Sequence, residues 1–397
     1  MHTRHWTRLA IGLWVILLGV TCIRPLFKPT SSTVFPIYAF AGSDFAAGDS
    51  LYSRNHPGTD IFRYSPLVAA FFEPFTLLPL GVGGALWRVL GVALLLTGLA
   101  AWARRACPQA PLAPLFLFAL PLSIGSLSNG QANVHVLGLM LWGAVLATRG
   151  WWGWAAAFIA AAALFKGYPL ALGLLLALAA PIRHGVPLAF AVATGFALPF
   201  LLQSPEYITA QYREWFEAVS MDDRTTFPLY LGYQDVHMLL RVMGVSMSLD
   251  EFRLVQIGAG AAAAGAIACQ LWNGVPRERA ALNALTLGLC WMTTFGPGIE
   301  ASTFILLAPV AAREMLDAND RPRWTAPFAY LGGLLFLASV ILFAFPHEMH
   351  RPVISLGILP VAALLVSVAA VGRVLAVRAD VKLLVVPIEP SPLSRAA

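Results

Sequence analysis

LAIGLWVILLGVTCIRPL (residues 9–26) is followed, after a short connection, by GSDFAAGDSLYSRNHPGTDIFRYSPL (residues 42–67). The first stretch is apolar and close to the roughly 20 residues that cross a hydrocarbon core as a helix. The second gathers Asp44, Asp49, Asp60, Arg54, Arg63, His56, Tyr52 and Tyr64. A carboxylate just outside a span, close to basic residues, suggests chemistry on a substrate that arrives at the lipid surface. Asp44 reads either as a base or as a solvated loop acid, and the functional reading turns on that choice.

Outward from this pair, the chain repeats the first stretch. Of 397 residues, 58% are hydrophobic and 12% are charged. Soluble domains carry about 25% charged residues, so this composition means a polytopic membrane protein. After 9–26, apolar segments recur at 82–103, 112–127, 134–147, 152–165, 170–180 and 186–202, then at 252–271, 280–295, 301–312, 326–345 and 353–371. About twelve transmembrane helices are expected, because only closed backbone hydrogen bonding survives in lipid. Residues 1–380 read as a single integral membrane domain, and the Pro-rich 381–397 as a disordered tail. The basic head and apolar run at the N-terminus resemble a signal peptide. There is no small-x-small cleavage site before Arg24-Pro25, so the run reads as a retained helix.

Charge orients the bundle. With the N-terminus inside, the inner ends carry Arg4, Arg8, Arg104, Arg105, Arg149, Arg183, Arg277, Arg279, Arg313, Arg321, Arg323, Arg373, Arg378 and Lys382. This is the positive-inside pattern, with both termini cytoplasmic in an inner membrane. Asp44, Asp49, Asp60, Glu206, Glu214, Asp222, Asp223, Asp235 and Glu300 fall on the outer side. Residues 65–80 would invert this if they spanned. They contain Pro66, Glu73, Pro74 and Pro79 and read as a juxtamembrane or re-entrant helix. The long outer loops run over about 27–81 and 203–251. SPEYITAQYREWFEA in the second is expected to be an interfacial helix.

Polar residues then collect at outer span ends far apart in sequence. They are Asp44 and Arg63 in the first loop, Gln131, Asn133 and His135 in SLSNGQANVHV, Lys166 and Tyr168 in ALFKGYP, and Glu300 in TTFGPGIEAST. Span ends brought to one surface can line one cavity. Lys166 interrupts an apolar run, where charge is costly and usually functional; its alternative is a snorkelling lysine. Lys166 and Arg63 are proposed partners for a lipid-linked phosphate. Gln131, Asn133, His135, Tyr168 and Glu300 are proposed sugar or cavity contacts. His135 also reads as a packed histidine, Glu300 as a helix cap, and Asp222-Asp223 as a solvated pair rather than a metal site.

Other chemistries lack their marks. Walker, GxGxxG, GxSxG and HExxH motifs are missing. The basic residues are scattered, which excludes a nucleic-acid face. No cofactor is implied; carboxylates are available to a divalent metal, but no ligand spacing commits to an ion. Cys22, Cys107, Cys269 and Cys290 form no CxxC pair and read as packing residues. A transporter or lipid-linked-sugar flippase is the alternative class. It would place polar groups near mid-bilayer and show related halves, and no such repeat is evident.

GSDFAAGDSLY with FRYSPLVAAFFEPFTLLPLGVGGALWRVLG, then SNGQANVHVLGLMLWGA and AAAALFKGYPLALGLLL, resembles glycosyltransferase family 87. The likeness runs from about residue 44 to 309. It implies a GT-C-type membrane bundle and transfer of a hexose, with mannose the expected sugar, from a polyprenyl-phosphate donor to a lipid or glycan acceptor. By the same resemblance Asp44 matches a first-loop aspartate acting as general base. The chain departs from the family where a Ser-Pro…His-His element often precedes a late span; FGPGIEASTFILLAP has Glu300 and no histidine there.

Overall fold

The structure, a computed structural model, describes residues 2–53, 56, 58–319, 321–342 and 354–376. Arg54, Arg378, Lys382 and the tail 381–397 lie outside the described residues, as do 343–345 and 353 at the edges of two expected spans. Among the described residues every regular element is helical. In chain order they are α1 (His2–Phe27), α2 (Phe35–Ala47), α3 (Pro66–Phe72), α4 (Leu80–Ala106), α5 (Leu112–Asn129), α6 (Asn133–Thr148), α7 (Trp152–Phe165) and α8 (Leu170–Ala179). Then follow α9 (Val186–Ala197), α10 (Pro205–Ser220), α11 (Val236–Val242), α12 (Leu249–Trp272), α13 (Arg277–Thr294), α14 (Ala308–Leu316), α15 (Ala326–Leu342) and α16 (Ile358–Leu375).

Each expected apolar segment carries helix, but the segments are not equivalent spans. Among the described residues six helices are long and apolar enough to cross a membrane: His5–Phe27, Leu80–Ala106, Leu112–Asn129, Pro181–Leu201, Leu249–Trp272 and Ile358–Leu375. The helices α6, α7 and α8 have 16, 14 and 10 residues. Helix α6 is buried along most of its length, while α7 and α8 each keep an exposed face. Backbone enclosed in protein need not match the lipid thickness. Segment 301–312 is 3₁₀ helix over Ala301–Leu307 running into α14. The segment 65–80 is not one long helix. Helix α3 has seven residues, about 10 Å at 1.5 Å per residue, and a 3₁₀ turn over Glu73–Leu77 follows it.

Close helix crossing sets the middle of the bundle. A Cβ at Gly138 would lie 2.8 Å from the Leu94 backbone carbon, so α6 meets α4 only because residue 138 has no side chain. At the arginine-rich end, Arg373 Nε donates to Glu314 Oε1 at 2.7 Å, and both side chains are buried. This ion pair joins α14 to α16, so Arg373 is a packed group rather than an exposed topology signal.

Turns at the other end fix the polar residues. Helix α5 ends at Gly130, whose φ of 70° is left-handed. Gln131 N donates to Ser126 O at 2.9 Å and Gly130 N to Leu127 O at 3.3 Å, the paired bonds of a Schellman turn. Gln131 is therefore held immediately past the helix, and Asn133 opens α6. Helix α2 stops in the same way at Gly48: Asp49 N donates to Asp44 O at 2.9 Å. Asp44 thus lies in a closed last turn rather than in a loose loop. Ser204 caps α10, and Ser248 with Glu251 forms a capping box on α12.

Candidate active site

These polar connections meet in one chain of hydrogen bonds and ion pairs. Lys166, the residue that ends α7, donates from Nζ to Asn133 Oδ1 at 2.7 Å. Tyr168 OH points to the same oxygen at 3.4 Å. Asn133 Nδ2 donates to Gln131 Oε1 at 2.9 Å and to the Ser302 carbonyl at 3.0 Å. Ser302 Oγ donates to Gln131 Oε1, and Gln131 Nε2 donates to Glu300 Oε2 at 3.1 Å. The path continues from Glu300 Oε1 to Arg224 Nη1 at 3.9 Å, from Arg224 Nε to Asp222 Oδ1 at 3.4 Å, and from Asp222 Oδ2 to Arg63 Nε at 3.9 Å. Arg63 Nη1 ends it on Asp60 Oδ2 at 2.8 Å. Six expected residues, Arg63, Gln131, Asn133, Lys166, Tyr168 and Glu300, are therefore brought together.

The electrostatics of the chain are uneven. Lys166 rests on a neutral amide, and no described carboxylate forms an ion pair with it. Burial holds its pKa below the ordinary lysine value, and the charge of Glu300 opposes that shift. Arg63 is already matched by two carboxylates. Tyr64 is pushed up to about 12 by burial. Tyr38 and Tyr168 are also raised, by burial first, with the Glu300 charge adding to it. These phenols stay protonated and act as O–H donors; Tyr38 OH donates to Tyr64 OH at 2.9 Å.

Asp44 forms a second centre at the same end. It is 5% exposed, and its Oδ2 lies 2.8 Å from His56 Nε2. It is therefore not a solvated loop acid. The segment 203–207 clasps the end of α2 around it: Gln203 Nε2 donates to Phe45 O at 2.8 Å and Tyr207 OH to Asp49 O at 2.7 Å. Burial raises the Tyr207 pKa, and Asp44 and Asp49 raise it further. Tyr38, also on α2, links this helix to the Tyr64 side of the polar chain.

His135 is a correction. Its ring stacks on Trp87 with centroids 3.5 Å apart, and Nε2 bonds the Trp87 carbonyl at 2.9 Å. It faces α4, not the polar chain; two positions beyond Asn133 a helix has turned about 200°. Asp222 and Asp223 do not act as a pair: Asp222 takes Arg224, Arg63 and the Tyr233 hydroxyl, while Asp223 accepts from Thr225 N at 2.8 Å. Glu300 also stands at the N-cap of the Ala301–Leu307 turn, the helix-cap position read from the sequence. Among the described residues no three His, Cys, Asp or Glu side chains are grouped to hold a metal ion. Arg224, Tyr233 and Ser302 join the site without any individual mark in the sequence.

A family model for glycosyltransferase family 87 matches residues 62–297, more than half of the chain. The chain belongs to glycosyltransferase family 87. As a family 87 member with these apolar helices it is a multi-pass membrane glycosyltransferase. The matched range takes in Arg63, Gln131, Asn133, Lys166, Asp222 and Arg224; Asp44, Glu300 and Ser302 lie beyond its ends. Two crystal structures are similar to it. One is ArnT from Cupriavidus metallidurans in the apo state, 16% identical over 95% of this chain and 78% of that one, with a TM-score of 0.40. The other is the same protein bound to undecaprenyl phosphate, 17% identical over 94% of this chain and 77% of that one, with a TM-score of 0.36. No curated protein matches the chain.

Proposed function

We propose that this family 87 enzyme moves a hexose, mannose by preference, from a polyprenyl-phosphate donor to a lipid or glycan hydroxyl at the outer membrane face. The observation that carries this reading is the Lys166–Asn133–Gln131–Glu300–Arg224–Asp222–Arg63 chain, because it draws five sequence-distant connections into one polar site. Its positive charges suit a leaving phosphate. Its amides, hydroxyls and Glu300 suit sugar hydroxyls.

The residues divide the work by their charge balance. Lys166 is the first phosphate partner, since its contact is a neutral amide that phosphate charge outcompetes. Arg63 is second, because phosphate must displace Asp60 and Asp222 from it. Gln131, Asn133, Tyr168 and Glu300 contact the sugar. Asp44 is the general base. It takes the proton of the acceptor hydroxyl as that oxygen bonds the anomeric carbon, and the bond from that carbon to the phosphate oxygen breaks. Attack opposite the phosphate inverts the anomeric centre. A positioned carboxylate contributes about 10²–10⁴-fold to such a step, and charge developing on the phosphate is stabilised by the lysine.

Purified protein incubated with radiolabelled polyprenyl-phosphomannose and a membrane lipid extract should yield a labelled lipid or glycan. Asp44→Asn should express normally and make none. Label that stays on the donor under every acceptor tested would overturn the reading.

A further inference from the structure

Helix α2 presents Phe40 and Asp44 four residues apart, so the two side chains share one face a single turn apart. His56 lies across that face. Its ring stacks on Phe40 with centroids 4.6 Å apart and planes at 24°, while its Nε2 meets Asp44 Oδ2 at 2.8 Å. The His56 backbone is pinned from its other side: Thr59 N and Thr59 Oγ1 donate to the His56 carbonyl at 3.1 and 2.9 Å. Position, ring plane and hydrogen-bonding edge are thus fixed by three separate features.

We propose that His56 is a positioning residue for Asp44, holding the carboxylate by Oδ2 in a single orientation while it takes the acceptor's proton. The inference rests on the reading of Asp44 as general base. In the step, the acceptor O–H bond breaks and its proton passes to the Asp44 carboxylate. The acceptor oxygen bonds the anomeric carbon, and the polyprenyl phosphate departs with the electron pair of the broken carbon–oxygen bond. His56 touches none of the reacting atoms. It acts by fixing the direction of the Oδ2 edge of Asp44, and through Phe40 it borrows the rigidity of α2.

A loop anchor would have different requirements. An anchor needs only charge or bulk, and exposed pairs of that kind are worth about 0–1 kcal/mol. Here the carboxylate is buried, and the imidazole is aimed by an aromatic platform, an arrangement that specifies direction rather than charge.

The test uses the full-length enzyme in detergent, with labelled polyprenyl-phosphomannose as donor and a lipid extract as acceptor. His56→Ala should lower kcat by about 10–100-fold while donor KM and undecaprenyl-phosphate affinity move less than about 3-fold. His56→Gln, which keeps a side-chain N–H donor, should recover at least about 5-fold of that loss. Phe40→Leu should reduce kcat in the same sense, and it reports even if the alanine variant fails to fold. Wild-type kcat in His56→Ala, a loss confined to KM, or a glutamine variant no better than alanine would each overturn the positioning role while an inactive Asp44→Asn leaves the base reading standing. Turnover in Asp44→Asn would overturn both.

Discussion

Arg88 of α4 donates from Nε to the carbonyl of Leu127 in the last turn of α5, 2.6 Å away. Its guanidinium also donates to Gly84 O at 2.7 Å, Ser128 O at 3.0 Å and Ser32 Oγ at 2.6 Å, and it is 1% exposed. No described carboxylate pairs with it. Its counter-charge is the negative end of the α5 dipole. Trp87 Nε1 donates to Gly130 O and Val34 N to Asn129 O, each at 3.0 Å. The carbonyls of residues 127–130 are therefore all held, directly before Gln131 and Asn133. Arg88→Met should remove the side-chain donors to Leu127 O, Ser128 O and Gly84 O and cost about 2–4 kcal/mol, read as a lower Tm in detergent with loss of transfer. Arg88→Lys keeps the charge but not the fork, and should fall between the two.

The Lys166–Asn133 contact makes a sharper prediction about the donor. Lys166→Met should weaken undecaprenyl-phosphate binding by more than about 10-fold. Asn133→Asp should weaken it too, although it removes no cation, because a carboxylate in place of the Oδ1 amide would hold the ammonium as an ion pair. Equilibrium binding of undecaprenyl phosphate checks both. Unchanged affinity in Asn133→Asp would show that Lys166 does not meet the phosphate.

How much of this was legible depends on which face of a helix had to be known. The apolar segments and the oddity of Lys166 are one-dimensional signals, and both were readable. His135 was misplaced because α6 is apolar on all sides, so periodicity does not say that residue 135 faces Trp87. Arg88 carried a readable signal, a lone arginine inside the apolar segment 82–103, and cost alone would have marked it. Arg224 carried none, and the Asp222-Asp223 pair gave no hint of its partner: a loop acid and a loop arginine become a bridge to Glu300 only through contacts across the fold. Composition marks α8 as apolar but does not say that its helix stops after 10 residues.

The ion pairs of Asp222 and Arg224 separate stability from function. The Asp222, Arg224 and Arg63 side chains are 23%, 20% and 30% exposed, so each pair should stabilise the fold by only about 0–1 kcal/mol. Arg224→Gln should leave Tm almost unchanged yet reduce transfer by about 10-fold or more, since it cuts the path between Glu300 and Asp222. A parallel fall in Tm and activity would mean that Arg224 merely holds the loop.

Asp235 predicts how that loop responds to pH. It caps α11 by accepting from Met238 N at 3.0 Å, and it borders a cavity of about 40 Å³ shared with Asp222, Arg224 and Tyr233. Burial pushes its pKa up to about 6, against the pull of the Met238 N–H and His237. A carboxyl raised in the folded state binds its proton there before it does in the unfolded chain. Stability should therefore be fully present below about pH 4, fall as pH rises from about 4 to 6, and level off above that. Hydrogen exchange of residues 236–242 should be slower at pH 5 than at pH 7.5, after correction for intrinsic rates. Asp235→Asn, which keeps a capping oxygen without the charge, should abolish that difference and protect α11 at pH 7.5. Equal protection at the two pH values in the unmodified protein would mean that Asp235 stays ionised in its buried place, with the Met238 amide and His237 outweighing the loss of water.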